Sequence, residues 1–128
     1  MKKIATILLL TTAVVTGNIL NASAYGSYLV LNINSNQSIA TSSNQYIPNG
    51  GYISTYNYSS SSNYLYAELY RDDPVPIPNT LIASEYMAPG ESVNRTLYSI
   101  ASAPHYTELN PAGPGYTGCN GTIGYYFN

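Results

Sequence analysis

Histidine occurs once in the chain, at position 105, and cysteine once, at position 119. A metal centre built from paired histidines or a thiolate cluster has no basis in this pattern. A serine nucleophile raised on a Gly-x-Ser-x-Gly elbow is also missing. Pro104-His105-Tyr106 reads as the start of a strand, so His105 is expected to be a partly exposed loop histidine rather than a catalytic base. Asp72-Asp73 form adjacent carboxylates that, with Glu68 or Asn79, would suit Ca²⁺. The simpler expectation for them is a solvated turn ahead of Pro74. A glycosidase needs two acids facing each other across a cleft, and Glu85, Glu91 and Glu108 carry no local sign of such a pair. These residues predict a protein that is not an enzyme and needs no cofactor or metal.

Cys119 excludes a disulfide-stapled scaffold, because it has no partner within the chain. A single cysteine in an exported protein is a free thiol, a buried inert side chain or half of an intermolecular disulfide. Its place among turn residues makes exposure, and a bridge to a second chain, a reasonable expectation.

Tyrosine is the residue in excess, with 15 copies against one Phe and no Trp. In Tyr52-Ile53-Ser54-Thr55-Tyr56-Asn57-Tyr58 the tyrosines all fall on even positions. In Tyr64-Leu65-Tyr66-Ala67-Glu68-Leu69-Tyr70 they do so again. Strand side chains alternate between faces, so each segment gathers its rings on one side. Folding the two across Ser59–Asn63 as an antiparallel hairpin sets Tyr58 opposite Tyr64, Tyr56 opposite Tyr66 and Tyr52 opposite Tyr70. Ile53, Thr55, Leu65, Ala67 and Leu69 would then face the core, and Glu68 marks the tyrosine side as the wetter one. Cross-strand aromatic pairs of this kind stabilise a sheet by roughly 0.2–1 kcal/mol each. They also make a contact surface, since tyrosine joins a large apolar body to a polar tip. Tyr52, Tyr56, Tyr58, Tyr64, Tyr66 and Tyr70 are therefore the candidate binding residues.

The elements that must hold these side chains are strands. Gly, Pro, Ser and Asn recur about every ten residues, with short Tyr-, Ile-, Val- and Thr-rich segments between them, which is the punctuation of an all-β sandwich. Strands are expected over 28–34, 37–42, 52–58, 64–70, 81–87, 92–100, 106–109, 116–119 and 122–127. An antiparallel β-sandwich of about eight strands, jelly-roll or immunoglobulin-like, follows. Ala88-Pro89-Gly90-Glu91 is a turn. Pro74, Pro76 and Pro78 bar their stretch from any central strand, and it reads as an extended connector between two halves of the sheet system. Asn120-Gly121 reads as a two-residue hairpin turn placing Cys119 opposite Thr122 and Tyr116 opposite Tyr125.

The first 24 residues carry a different message. Met1-Lys2-Lys3, an apolar run over 4–15 and Asn21-Ala22-Ser23-Ala24 make the head, core and small-residue exit of a secretory signal peptide. Residues 25–128 then form a single domain with no segment long enough to span a membrane. Both lysines lie in the leader, so Arg71 and Arg95 stand against six acids and leave the remainder at −4. Such a chain lacks the basic footprint needed for nucleic acid. Low charge also leaves contact with other chains weakly opposed.

The expected function is a secreted, non-catalytic binding or self-assembling surface or matrix protein, held to protein, to itself or to a glycan through its tyrosines. A secreted toxin or bacteriocin acting on a target envelope is one alternative, because tyrosine settles well at membrane interfaces. An extracellular protease inhibitor presenting the proline-locked loop is the other.

Overall fold

The structure is a computed structural model that describes residues 26–112 and 115–127. The expected leader, 1–24, lies outside the described residues. Among the described residues nine strands form: β1 Ser27–Ile33, β2 Ala40–Thr41, β3 Gln45–Ile47, β4 Gly51–Asn57, β5 Leu65–Arg71, β6 Thr80–Met87, β7 Ser92–Leu97, β8 Ala103–Pro111 and β9 Gly121–Phe127. They divide into two sheets, one ordered β1-β9-β4-β7 and the other β2-β8-β5-β6, with β3 also pairing β8. Every pairing is antiparallel. Taking β2 and β3 as one interrupted strand leaves two four-stranded sheets joined by chain crossings, which is a jelly roll. The expected β-sandwich is thus the architecture found, in its jelly-roll form.

Alternation builds the core. Leu29, Ile33, Ile53, Ile123, Tyr125 and Phe127 point inward from the first sheet, and Ile47, Leu65, Ala67, Leu69, Ala83, Met87 and Leu109 from the second. Each is separated from the next inward residue of its strand by an outward one, as the pleat requires.

Central strand β9 is buried along its whole length, on both faces. On its outer side this is the work of one ring. Gly124 has no side chain, and a Cβ there would lie 2.6 Å from the Tyr126 hydroxyl oxygen and 2.8 Å from its ring. Tyr126 therefore lies across Gly124, and Tyr28 and Tyr52 stand opposite it in the neighbouring strands. Only 6% of Tyr126 is exposed. Gly124→Val must lift that ring and is expected to cost about 1–3 kcal/mol, readable as a lowered midpoint in urea.

Several expectations about connections are corrected. Segments 52–58 and 64–70 do not form a hairpin. β4 pairs with β7 and β9, whereas β5 pairs with β6 and β8 in the opposite sheet. The serine run between them is a crossing loop, held by partners far away in sequence. Ser61 Oγ donates to Asn120 O at 3.0 Å, Ser62 N to Gly118 O at 2.7 Å and Asn63 Nδ2 to Thr117 O at 2.6 Å.

Asn120-Gly121 is not a hairpin turn either. Residues 116–120 form no strand, and Gly121 opens β9, whose partners are β1 and β4. Asn120 is instead a hub for three loops: its Oδ1 accepts from Ser35 N, its carbonyl from Tyr58 N, and its N–H donates to Ser61 Oγ.

The proline segment joins β5 to β6, which are neighbours in one sheet, and so caps a hairpin rather than linking two halves. Its turn closes with Ile77 N donating to Pro74 O at 2.8 Å across a cis Val75–Pro76 peptide.

Candidate functional site

The outward residues of the second sheet form an ordered polar and aromatic surface. β5 contributes Tyr66, Glu68 and Tyr70. β8 sets Asn110, Glu108 and Tyr106 directly opposite them, and β6 adds Tyr86 opposite Tyr66 and Ser84 opposite Glu68. The rings gather at two places. Tyr86 stacks on Tyr64 with centroids 4.8 Å apart and meets Tyr66 at 4.5 Å. Tyr70 and Tyr106 lie nearly parallel, 12° between planes and 5.3 Å apart. Such pairs contribute beyond their buried area and fix each other's rotamers.

Between these two stacks lie Glu68 and Glu108, like charges face to face on adjacent strands, an arrangement that opposes folding. Glu68 is held in place: Tyr70 donates its hydroxyl to Oε1 at 3.0 Å and Ser84 to Oε2 at 3.1 Å. Burial pushes the Glu108 carboxyl above the ordinary carboxylate range, the charge of Glu68 pushes the same way, and the Thr41 hydroxyl partly opposes both. The Tyr70 phenol rises to about 12, chiefly through burial and then through its bond to Glu68.

A raised carboxyl pKa means that the unfolded chain gives up this proton first as pH rises. The stabilising contribution is thus present at acid pH and lost as pH climbs through the folded value. Glu108→Gln should accordingly raise the melting temperature at pH 7 and change it little near pH 4. A destabilising charge pair on an ordered, half-buried surface is what binding sites often retain at the expense of stability.

The six tyrosines expected to share a face are separated. Tyr66 and Tyr70 belong to this surface and Tyr64 packs against its edge through Tyr86. Tyr52 and Tyr56 project from the opposite outer face, and Tyr58 follows β4 in the crossing loop, its ring 4.9 Å from that of Tyr56. Tyr86, Tyr106 and Glu108 complete the surface and were not among the expected binding residues. Their parity was visible, since Tyr106, Glu108 and Asn110 alternate with the buried Thr107 and Leu109. What the sequence lacks is any mark that this strand lies beside β5.

The other chemically suggestive residues are engaged internally. His105 is not partly exposed: it is 0% exposed, points into the sandwich from β8 and places Nδ1 2.8 Å from the Ala103 carbonyl oxygen. Burial lowers its pKa below the usual 6.5. The unfolded histidine therefore takes a proton more readily, and stability should fall as pH drops below about 6.5. Thermal melts between pH 7 and 5 should show this slope in the wild type and a shallower one in His105→Gln.

Asp73 accepts from Arg71 Nε at 2.6 Å and from Thr80 Oγ1 at 2.5 Å, and Arg71 followed by Thr80 holds its carboxyl below the normal range. Asp72 accepts from Asn44 Nδ2 at 2.5 Å, and Glu68 belongs to the outer face described above. Among the described residues no three His, Cys, Asp or Glu side chains gather into a cation cage.

Cys119 is 0% exposed, with Sγ 3.2 Å from Asn63 O and 3.3 Å from Tyr64 O. Burial pushes its thiol pKa up. The expected bridge to a second chain is not available to a sulfur in this position. A thiol reagent should leave the native protein unmodified and react fully in denaturant, and reductant should not change its size in gel filtration.

The fold and this surface define a jelly-roll β-sandwich carrying a tyrosine–carboxylate face. No protein-family model matches the sequence, and no curated protein matches it. Solved structures are similar in shape. PirA superposes with a TM-score of 0.48 at 10% identity, covering 79% of this chain and 94% of that one. CsCBM6-3 from Clostridium stercorarium, solved with cellobiose, gives 0.42 at 11% identity, covering 84% and 92%. A Bacillus endospore appendage protein, from disulfide-linked pili, gives 0.44 at 14% identity, covering 80% and 87%. At these scores the likeness extends to the layering of the strands and no further. Among the described residues no helix is long and apolar enough to cross a membrane.

Proposed function

We propose that this chain is a secreted, non-catalytic binding protein whose docking surface is the outer face of β8, β5 and β6. The observation that carries this is the opposed pair Glu68–Glu108 set between two tyrosine stacks. The stacked rings flank the pair on either side. Two carboxylates between them suit an ammonium or guanidinium group flanked by apolar surface, since such a cation relieves the repulsion that the free protein carries. The partner is thus a basic segment of another protein or an amino-sugar polymer. Two copies meeting through this face would bring four carboxylates together, so self-association through it is disfavoured. Secretion rests on the leader pattern of residues 1–24.

Titration calorimetry with a lysine-containing hexapeptide and with a glucosamine hexamer tests the reading, with cellohexaose as the neutral control. One cationic probe should bind and the control should not. Binding should weaken at least tenfold in Glu68→Gln/Glu108→Gln and in Tyr66→Ser/Tyr106→Ser. If the wild type ignores both cationic probes, or if the variants bind as it does, the face is structural only.

A further inference from the structure

The end of the sandwich where β5 passes to β6 carries a second surface, separate from the tyrosine–carboxylate face. The hairpin tip Pro74-Val75-Pro76-Ile77-Pro78 is exposed throughout, with Val75 95% and Ile77 58% accessible. Asp72 N donates to Pro104 O at 2.9 Å, which places the base of this hairpin beside the start of β8, where the segment 98–102 coming from β7 ends. That segment holds Tyr98, 90% exposed. Val75 and Tyr98, the two most exposed large apolar side chains among the described residues, therefore share one end.

This tip is held out, not left loose. Asn79 Oδ1 accepts from Asp73 N at 3.0 Å, and Asn79 Nδ2 donates to Tyr106 OH at 3.0 Å. Arg71 and Thr80 clamp Asp73 from the other side. Three prolines remove backbone freedom from the tip itself. A soluble domain has no folding reason to fix valine and isoleucine in water on so rigid a support.

We propose that this end docks on a lipid bilayer, with Val75 and Ile77 entering the headgroup–acyl boundary and Tyr98 at the level of the headgroups. Charge and area favour a bilayer over a protein. Residues 74–78 carry no charge, and of the acids at the base Asp73 is paired with Arg71 and Asp72 is hydrogen-bonded by the Asn44 amide. A stable protein interface engages roughly 20–30 residues a side, whereas this end offers a few projecting ones. Projections suit a fluid boundary, which closes around them without a complementary shape, and tyrosine is enriched at that depth. With no basic patch beside the tip, attraction to anionic lipid is not part of the mechanism.

The test uses the chain from residue 25 onward and vesicles of pure phosphatidylcholine in a flotation assay. The wild type should float with the vesicles, equally at 0.05 and 0.5 M salt and no better when anionic lipid is added. Val75→Ser/Ile77→Ser should lose at least tenfold in partitioning while its circular dichroism stays native. Glu68→Gln/Glu108→Gln, which leaves the Asn79–Tyr106 anchor in place, should float like the wild type, which separates this surface from the tyrosine–carboxylate face. Because the chain has no tryptophan, Val75→Trp gives a single reporter whose emission should shift to the blue and be quenched by bromolipid. Absence of flotation by the wild type, an unshifted emission from that tryptophan reporter, or a tip needed only for capture of a protein would each overturn the proposal.

Discussion

Replacing Gly51 by alanine is expected to cost about 3 kcal/mol or more, on the order of 10–20 °C in melting temperature for a domain of this size. Gly51 stands in β4 between two partner strands. A Cβ there would lie 2.2 Å from the backbone oxygen of Tyr126 and 3.0 Å from the buried Tyr125 hydroxyl oxygen and adjoining ring carbon. Backbone cannot swing aside as a side-chain end can, so the strain spreads into β9 or breaks the pairing of β4 with it. Val30→Ala, on an edge strand and half-exposed, serves as the mild control. Calorimetric scans of both variants decide the matter, and a Gly51→Ala midpoint within about 3 °C of wild type would contradict the packing described.

Asn57→Ala should be nearly as damaging, at about 2–4 kcal/mol. Asn57 is 0% exposed, and its Nδ2 donates to Asn63 O at 3.0 Å and to Met87 O at 2.9 Å. One side chain thus ties the end of β4 to the crossing loop and to the end of β6 in the other sheet. Alanine leaves the buried Met87 carbonyl without that donor, at about 1–3 kcal/mol, and the part-buried Asn63 carbonyl with only the weak Cys119 thiol as a donor. Part of the damage should be local, seen as faster hydrogen exchange in residues 58–64 and in the 116–120 segment that the loop grips. Aspartate at this position is not a rescue, because it supplies no donor in its ionised form.

What could be read from the sequence was local, and what could not was pairing. Ile53, Leu65, Ala67 and Leu69 face the core as their parity requires, and Tyr52, Tyr56, Tyr66 and Tyr70 face outward. The same parity fits both a hairpin and a crossing between sheets, because each puts the aliphatic side inward. The crossing is selected by Asn57 and by the serine loop's bonds to residues 117–120. The loop's partners lie over fifty residues away, and no short window contains them. Asn120-Gly121 misleads for a related reason: the dipeptide favours a tight turn, yet Asn120 is used as a hydrogen-bond hub. A Cβ on Gly121 would fall 2.5 Å from a Leu65 methyl and 2.7 Å from Tyr56 O, so glycine is there for closeness. Half of the candidate site was likewise legible. Tyr66, Tyr70 and the wetter character marked by Glu68 were plain, while Tyr86, Tyr106 and Glu108 join them only through strand order.

That strand order bears on how the protein is made. Of the described strands β9 comes last, and it lies between β1, which comes first, and β4. Until residues 121–127 are delivered, the first sheet lacks the strand that joins β1 to β4, although the second sheet and the β4–β7 pair need no part of it. Such distant pairing makes for slow folding, in the millisecond-to-second range typical of all-β sandwiches. It also makes the last strand the point at which a premature stop should be most harmful for its length, leaving a product open to proteases.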